Sequence, residues 1–521
     1  MTLEFRSHYD WLVLGDHPAG LFSLALLSSM GKSCLWLPLD EKPLGSFYSK
    51  SGQCFDPESS YQLGISNSSR YPGVLSQTLS DLNYSFEKRF HPDGALQVLT
   101  NRLRIDCDLN TLEFLKVLEQ ELGEEGLSQL ELASAIEQVE PFIHSFWKSY
   151  PEKFLAQKHK PKSSIKLYED AFFSEFYSSK NGIKSWASNK NKVSHLNDDL
   201  KGSYGDFLTG VFNGVTQLHD QDPRLFELLH LLCLSKTGGI LRGGMTRFRA
   251  FLKQVAIDHG ATILDQASCR RVFVDHQKLI GVQVAGLGKM ISVNHGLLSG
   301  PIQKLIDLFH FSGKSDLSLV KKPLKPQGVK LTLALTVKTH GVSPGVKRRL
   351  IWKEKNAPAI EFEFADPIDY YYKQKGLKFL FIRSVVPFSH HSLNRESQRV
   401  FLLRMLKKTQ DIFPFIGNHI VRIFPNVTKD QKTEVYNELK EAFPFSCLEQ
   451  VPHQLCVYDE KGLGSETGIE GLSLASNESY PELSSLGGFV AVMEVLSQFT
   501  RKSKVLHSLS HRNTSEVFLN D

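Results

Sequence analysis

Six residues near the N-terminus, Gly15-Asp16-His17-Pro18-Ala19-Gly20, have the spacing of a turn that could hold a phosphate. Such a turn needs Gly-x-Gly-x-x-Gly: the first glycine bends the chain, the second lets the backbone approach a pyrophosphate, and the third lets the next helix pack on its strand. The unpaired N–H groups at the helix start supply the donors. Gly15 and Gly20 satisfy the first and third positions, while His17 stands in the second. Pro18 suits the first helical turn, where an N–H would have no partner anyway. Asp16 puts a carboxylate at the positive end of that helix, where it satisfies the dipole from within and repels a phosphate. His17 reads as a helix-capping or simply tolerated histidine in preference to a base or a covalent attachment point.

The elements that must position this turn are legible on both sides of it. Tyr9 to Leu14 is a short apolar run of the kind buried on both faces in a parallel sheet. From Ala19 to Met30, Leu21, Leu24, Ala25, Leu27 and Ser28 give a broad packing face, and Gly31-Lys32 ends the helix. Ser33 to Leu37 reads as a second buried strand. That strand should close with Glu or Asp to hold ribose hydroxyls, but Pro38 stands there and Asp40 comes two residues late. Strand, glycine turn, helix, strand in this order is the opening of an α/β, Rossmann-like dinucleotide-binding domain.

Composition narrows the setting. With 521 residues, 41% hydrophobic and 11% aromatic, the chain has material for two or three globular domains. A net charge of +5 is too small an excess to make nucleic acid the expected partner. The 7 cysteines are odd in number and contain no CxxC pair, so neither a disulfide framework nor a metal site is expected, and a reducing cytoplasmic setting fits. No apolar stretch reaches the roughly 18 residues that span a bilayer, and the first ten residues do not read as a signal peptide. From about 150 to 235, lysines between Lys153 and Lys192 are interleaved with Phe154, Phe172, Phe173, Phe176, Tyr177 and Trp186. This stretch reads as a solvated helical insertion, or as a basic, aromatic patch that rests on a membrane surface.

Two further blocks carry glycines at helix starts. In the first, Arg242-Gly243-Gly244-Met245 precedes a helix with Phe248, Phe251, Leu252 and Val255 on one side. Strands are expected after it at Ala261 to Leu264, Arg271 to Asp275, Leu279 to Val284, Met290 to Val293 and Gly296 to Ser299. In the second, Gly471 to Phe499 reads as a strand, a polar loop, a Gly487-Gly488 turn and a final helix. Hairpin alternation marks His91 to Cys107, and residues 329 to 460 mix strand-like runs with a helix from Glu396 to Ile412, which suits a second domain of α+β character.

The three blocks, in this order, resemble the flavin amine oxidase superfamily, and most closely its phytoene desaturase-like branch. The resemblance implies an amine oxidase/GDI-like two-domain fold in which residues 1–75, 236–325 and 465–502 form a discontinuous FAD-binding domain. Residues 76–235 and 326–464 would form the substrate-binding domain with its helical insertion, and 503–521 a flexible tail. It implies cofactor contacts from Gly15, His17, Pro18, Ala19, Gly20, Pro38, Gly45, Gly243, Gly244, Met245, Cys269, Asn477, Leu486 and Gly487. Several depart from the family pattern. His17 replaces Gly, Pro38 replaces Glu, Leu44 replaces Gly in Lys42-Pro43-Leu44-Gly45, Cys269 stands where a Val usually meets the adenine, and Asn477 replaces Asp in Ala475-Ser476-Asn477.

Two readings stay open. In the first, the chain is an FAD-dependent oxidoreductase that passes hydride from a long apolar, isoprenoid or lipid-like substrate to flavin. The protein then supplies mainly a pocket, so no catalytic residue is named. In the second, the chain is a flavin-free, non-catalytic relative that binds a lipid or prenyl group or a protein partner on the same scaffold. A nicotinamide in the first site would leave the middle and C-terminal blocks without a role.

Overall fold

The computed structural model describes residues 6–39, 47–48, 54–55, 59–66, 73–84, 89–91, 96–101, 104–107, 116–117, 120, 140–141, 203–216, 225–300, 305–312, 328–343, 345–354, 357–365, 376–387, 395–424, 454–456 and 465–502. The chain opens with β1 (His8–Leu14), α1 (Pro18–Ser29) and β2 (Cys34–Leu37), followed by the short strands β3 (Phe47–Tyr48), β4 (Cys54–Phe55) and β5 (Tyr61–Gln62). Then come α2 (Val74–Asp81), β6 (Phe90–His91), β7 (Leu96–Leu99), β8 (Arg104–Asp106), α3 (Ser203–Thr216), α4 (Leu225–Ser235) and β9 (Gly239–Leu241). The middle block is α5 (Gly244–Asp258), β10 (Thr262–Ile263), β11 (Cys269–Asp275), β12 (Lys278–Val284), β13 (Met290–Leu298) and β14 (Phe309–Ser312). Next are β15 (Gly328–Lys338), β16 (Arg349–Trp352), β17 (Ile360–Ala365), β18 (Leu377–Pro387), α6 (Arg395–Ile412), β19 (Ile420–Phe424) and β20 (Gln454–Cys456). β21 (Leu472–Leu474) and α7 (Gly487–Lys502) end the described chain.

Two large sheets organise these elements. In the first, the strands run β10-β2-β1-β13-β12-β11-β14, with β21 beside β13. β1 lies parallel to both β2 and β13, and β21 is parallel to β13. β1 is buried on both faces: Trp11 and Val13 point into one core with α1, α5 and α7, while Leu12 and Leu14 point into a second core with β11 and β12. This two-sided burial is why the run is apolar without alternation. The middle strands correct one expectation, because Met290 to Val293 and Gly296 to Ser299 are not separate strands. β13 is continuous; its first half pairs with antiparallel β12 and its second half with parallel β21. Asn294 and His295, which read as a break, lie within it, and the His295 ring stacks on Trp11 at 4.8 Å.

The second sheet runs β19-β15-β18-β17-β16-β7-β8, with β20 beside β15. Its outer face, with Leu331, Leu333, Phe362, Leu380 and Ile382, packs with Leu402, Met405 and Leu406 of α6. Its inner face carries buried charge. Glu363 accepts from Arg383 Nη1 at 2.8 Å, from the Ser60 N–H at 2.9 Å and from Ser59 Oγ at 2.9 Å. Beside it Glu361 accepts from Arg349 Nε at 2.7 Å, and the Arg349 guanidinium lies 4.2 Å over the Tyr61 ring. Burial alone would raise the Glu361 pKa, but Arg349 and Arg383 outweigh it and hold the carboxyl well below the usual range. The Ser59-Ser60-Tyr61 segment is thereby tied to the second sheet, while β5 itself pairs with β9 just before α5.

Two substitutions test these constraints. Gly15 has φ +113°, and a β-carbon there would meet the Ser299 carbonyl oxygen at 2.0 Å, whereas Gly31 has φ +76° but open space around it. In equilibrium denaturation Gly15→Ala should cost about 3 kcal/mol or more, and Gly31→Ala about 1–2 kcal/mol. Equal costs would show that Ser299 does not crowd the turn. Glu363→Ala removes the nearer carboxylate of buried Arg383, leaving Glu361 at 3.8 Å, and should destabilise by about 3 kcal/mol in the same measurement.

Candidate functional site

The turn between β1 and α1 is held by its neighbours from every side. The Gly15 N–H donates to the Leu37 carbonyl at 2.9 Å, and Trp36 Nε1 donates to the Gly15 carbonyl at 2.8 Å. Ser299, the residue after β13, donates its N–H to Leu14 O at 2.7 Å and accepts the His17 N–H at 3.2 Å. Its hydroxyl donates to the His17 carbonyl at 3.2 Å, and a β-carbon on Gly20 would come within 2.2 Å of that hydroxyl. Arg249, buried on α5, donates from Nε to the Asp16 carbonyl at 2.8 Å. Gly15 and Gly20 are therefore required by packing against Ser299.

His17 is the N-cap of α1, in extended conformation, with Pro18 following it at the helix start. Its Nδ1 accepts the Ala19 N–H at 3.2 Å. The proton of the neutral ring must then be on Nε2, which donates to Asn477 Oδ1 at 2.9 Å. On its other side the ring meets α7: a β-carbon on Gly488 would be 2.8 Å from His17 Cε1 and 3.0 Å from the Ala19 β-carbon. The imidazole thus fills the space between the N-termini of α1 and α7. Loss of hydration, and then the Arg249 charge, push its pKa down to about 4 against the opposing pull of Asn477. It is a neutral ring at ordinary pH.

The other expected contact residues are placed as follows. Pro18 and Ala19 are buried in the first turn of α1, and Pro38 is buried directly after β2, so that position offers no carboxylate. Gly45 lies outside the described residues, as do Asp40, Leu44 and the lysine-rich stretch from Lys153 to Lys192. Gly243 and Gly244, with φ +80° and +73°, form the bend into α5. Met245 is in the core beside Phe248 and Phe251. This helix reaches the turn through Arg249. Cys269 packs in the second core, with Leu12, Leu14 and Leu37, and burial pushes its thiol up to about 12. Asn477 meets His17. Leu486 is buried, and Gly487 is already the first residue of α7 instead of part of a turn before it; a β-carbon on it would strike the Tyr480 carbonyl at 2.2 Å. Sequence reading missed Ser299, Trp36 and Arg249. Only Arg249 left a signal, a charge four residues after Met245 on the helix face that also carries Phe248 and Leu252.

A pyrophosphate at this turn would need free N–H donors at the start of α1. Pro18 has none, the Ala19 N–H is taken by the imidazole, and the Gly20 and Leu21 N–H groups are turned to the His17 carbonyl at 3.0 and 3.4 Å. With every donor of the first turn satisfied internally, and the imidazole between the two helices, the residues present do not fit a dinucleotide pyrophosphate in this arrangement. Among the described residues no group of three or more His, Cys, Asp or Glu could hold a metal ion, and no helix is long and apolar enough to cross a membrane.

No protein-family model and no curated protein sequence matches the chain. Solved structures do. An oxidoreductase from Methanosarcina mazei aligns over 94% of this chain and 99% of its own, with a TM-score of 0.58 and 13% identity. A redesigned putrescine oxidase aligns over 95% and 99%, with a TM-score of 0.51 and 10% identity. A protein from Pyrococcus furiosus aligns over 94% and 98%, with a TM-score of 0.51 and 11% identity. The chain therefore shares the mixed α/β, two-domain fold of these structures. At such identities the likeness establishes the architecture, and chemistry has to be argued from the residues.

The half-buried His17 ring has a pH signature. Between its ordinary value of 6.5 and about 4, the unfolded chain binds a proton that folded His17 refuses. Stability contributed by the neutral ring is therefore complete above pH 6.5 and lost as pH falls toward 4. The stability difference between the natural chain and His17→Asn, read from denaturant midpoints, should be constant above pH 7 and shift against the natural chain between pH 6.5 and 4. A difference independent of pH would show that the ring is not held neutral.

Proposed function

We propose that this chain is a flavin-free, non-catalytic protein on the FAD-binding fold, using the scaffold to hold a lipid-like or prenyl group or a protein partner. The observation that carries this reading is the closed first turn of α1, in which His17 takes the Ala19 N–H and stands against Asn477 and Gly488. Each hydrogen bond lost to a buried polar ligand group costs about 1–3 kcal/mol. Two or three such losses at the pyrophosphate weaken binding by several powers of ten. Pro38 in place of a carboxylate adds to them, because nothing at that position accepts from a ribose hydroxyl.

For the ligand, the inner face of the second sheet supplies a small apolar cluster of Ala334, Phe379 and Phe381, with Ala365 packed against it. It lies beside the Glu361, Glu363, Arg349 and Arg383 network, which is internally paired and so adds little need for a charged ligand. Membrane-surface contact through the lysine-rich stretch belongs to the same proposal, since a lipid-like ligand would be collected there.

The second reading, an FAD-dependent oxidoreductase acting on a long apolar substrate in the manner of phytoene desaturases, is favoured by the oxidoreductases among the structures that share the fold. Flavin absorbance separates the two. The purified chain should lack the visible flavin bands and should leave FAD fluorescence unchanged in a titration to tens of micromolar. Bound flavin on purification, or saturable quenching of added FAD, would replace the first reading with the second.

A further inference from the structure

We propose that the end of the second sheet where β15 leaves and β18 enters is a contact surface for an anionic lipid membrane, with the Phe415 ring entering the headgroup layer and nearby lysines meeting the lipid charge. This goes beyond the ligand-holding role above, lies apart in sequence from the lysine-rich stretch, and does not depend on whether flavin is bound. Phe415 is 75% exposed, the most exposed large apolar side chain among the described residues. Its neighbours enforce that exposure. Phe413 sits edge-on against Phe362 and Phe364 at 5.6 and 5.5 Å, and its N–H donates to the Thr409 carbonyl at 2.9 Å. Ile416, fully buried, donates its N–H to the Phe413 carbonyl at 2.9 Å. With residues 413 and 416 both seated in the outer core, residue 415 is held outward on a fixed turn. A lone exposed apolar ring is ordinary by itself, and its setting supplies the second observation.

The turn is fastened to the end of β15. The His419 ring lies 4.6 Å from that of His340, and a β-carbon on Gly341 would come within 2.5 Å of the His419 β-carbon. Thr339 donates both its N–H and its hydroxyl to the Gly376 carbonyl, each at 2.7 Å, just before β18. Residues 338–341, 376–378 and 413–419 therefore form one end of the sheet. Its charge is one-sided. Lys338 and Lys407 are exposed and Lys378 is half-buried, and among the described residues no carboxylate lies within ion-pair distance of any of the three. The acids nearby are already neutralised, since Asp106 pairs with Lys347 and Asp411 with Lys408, both at 3.6 Å. Each lysine within a Debye length of an anionic bilayer strengthens attachment about fivefold. An apolar anchor and a basic patch are each weak alone and effective together. A folded protein partner is the poorer match. One ring buries too little apolar area for a specific interface, whereas a bilayer surface takes up a lone ring and scattered charge without a matching shape.

The test is co-sedimentation of the full-length chain with phosphatidylcholine vesicles, with and without roughly a third of phosphatidylserine. It is repeated with Phe415→Ser and with the triple replacement Lys338→Gln, Lys378→Gln and Lys407→Gln. None of these side chains is in the core, so thermal unfolding should match that of the natural chain. The natural chain should bind the anionic vesicles and leave the neutral ones, and added salt should release it. Phe415→Ser should weaken binding at least about fivefold. The triple replacement should weaken it more than about tenfold and flatten the salt dependence, while Phe415→Trp should retain it. If the natural chain does not bind anionic vesicles, or if either Phe415→Ser or the triple replacement binds as tightly as it does, the inference is overturned. Self-association of the natural chain that Phe415→Ser abolishes, without vesicle binding, overturns it in favour of a protein interface. All of these outcomes leave the flavin question to absorbance.

Discussion

The contact on which the N-terminal domain depends is the seating of Ser299 against the turn that leaves β1. Its carbonyl oxygen lies where a β-carbon of residue 15 would be, and its hydroxyl where one of residue 20 would be. It bonds to Leu14 and to both backbone groups of His17. One residue at the end of β13 thus sets the parallel register of β1, the bend into α1 and the height of that helix over the sheet. These demands concern packing alone and hold whether or not a ligand is present. They explain why the first and third glycines remain in a turn whose second glycine is gone. The motif separates physically into two glycines that serve strand–helix packing and one that serves close approach of a phosphate, and only the latter is free to change when no phosphate binds.

The second sheet illustrates how pairing offsets the burial of charge. Arg349, Arg383, Glu361 and Glu363 are all nearly inaccessible. Desolvation would make any one of them costly alone, but each carboxylate meets a guanidinium, and Ser59 and Ser60 supply further donors. Because those serines precede β5, which pairs with β9 at the start of the middle block, the network fixes the sheet relative to the segment leading into α5. Geometry of this kind is less tolerant than an apolar contact: a sub-ångström shift leaves a buried charge unpaired. The inner face is accordingly a rigid wall, whose apolar residues include the cluster around Phe379 and Phe381 and also Leu96, Val98 and Ile351, which pack into the first core.

Much of this was legible in the chain itself, for a definite reason. β1 and β2 are covered on both faces, so their residues are apolar without interruption; α1 is enclosed by the sheet, α5 and α7, so its small and apolar residues run nearly all round it. Such burial is written locally. The glycine turn and the capping character of His17 are local as well, since cap and acceptor are two residues apart. What was not legible depends on partners far along the chain. Ser299 reads only as the last residue of an expected strand until parallel pairing with β1 brings it under residue 15. Trp36 reads as a core aromatic, and only the register of β2 turns its indole N–H onto the Gly15 carbonyl. The false break in β13 has the same origin, because its polar residues mark the point where its partner changes from β12 to β21.

Two of the departures from the resembled pattern are linked in space. Read along the chain, His17 and Asn477 are two separate losses, one in the first turn and one in a loop 460 residues later. In space they are one pair joined by a hydrogen bond, and the state of each constrains the other. His17 caps the helix only while its Nδ1 is unprotonated, and an amide at 477 opposes that state less than a carboxylate would. A carboxylate at 477 would favour the charged ring by the mechanism that raises any histidine beside an acid, and the cap would be lost. A glycine at 17, in turn, would leave the Asn477 oxygen without this donor. The two replacements are therefore coupled physically, and each is intelligible only in the presence of the other. The helix N-termini are bridged from within by this pair, above the strands, the bend and the Ser299 contact.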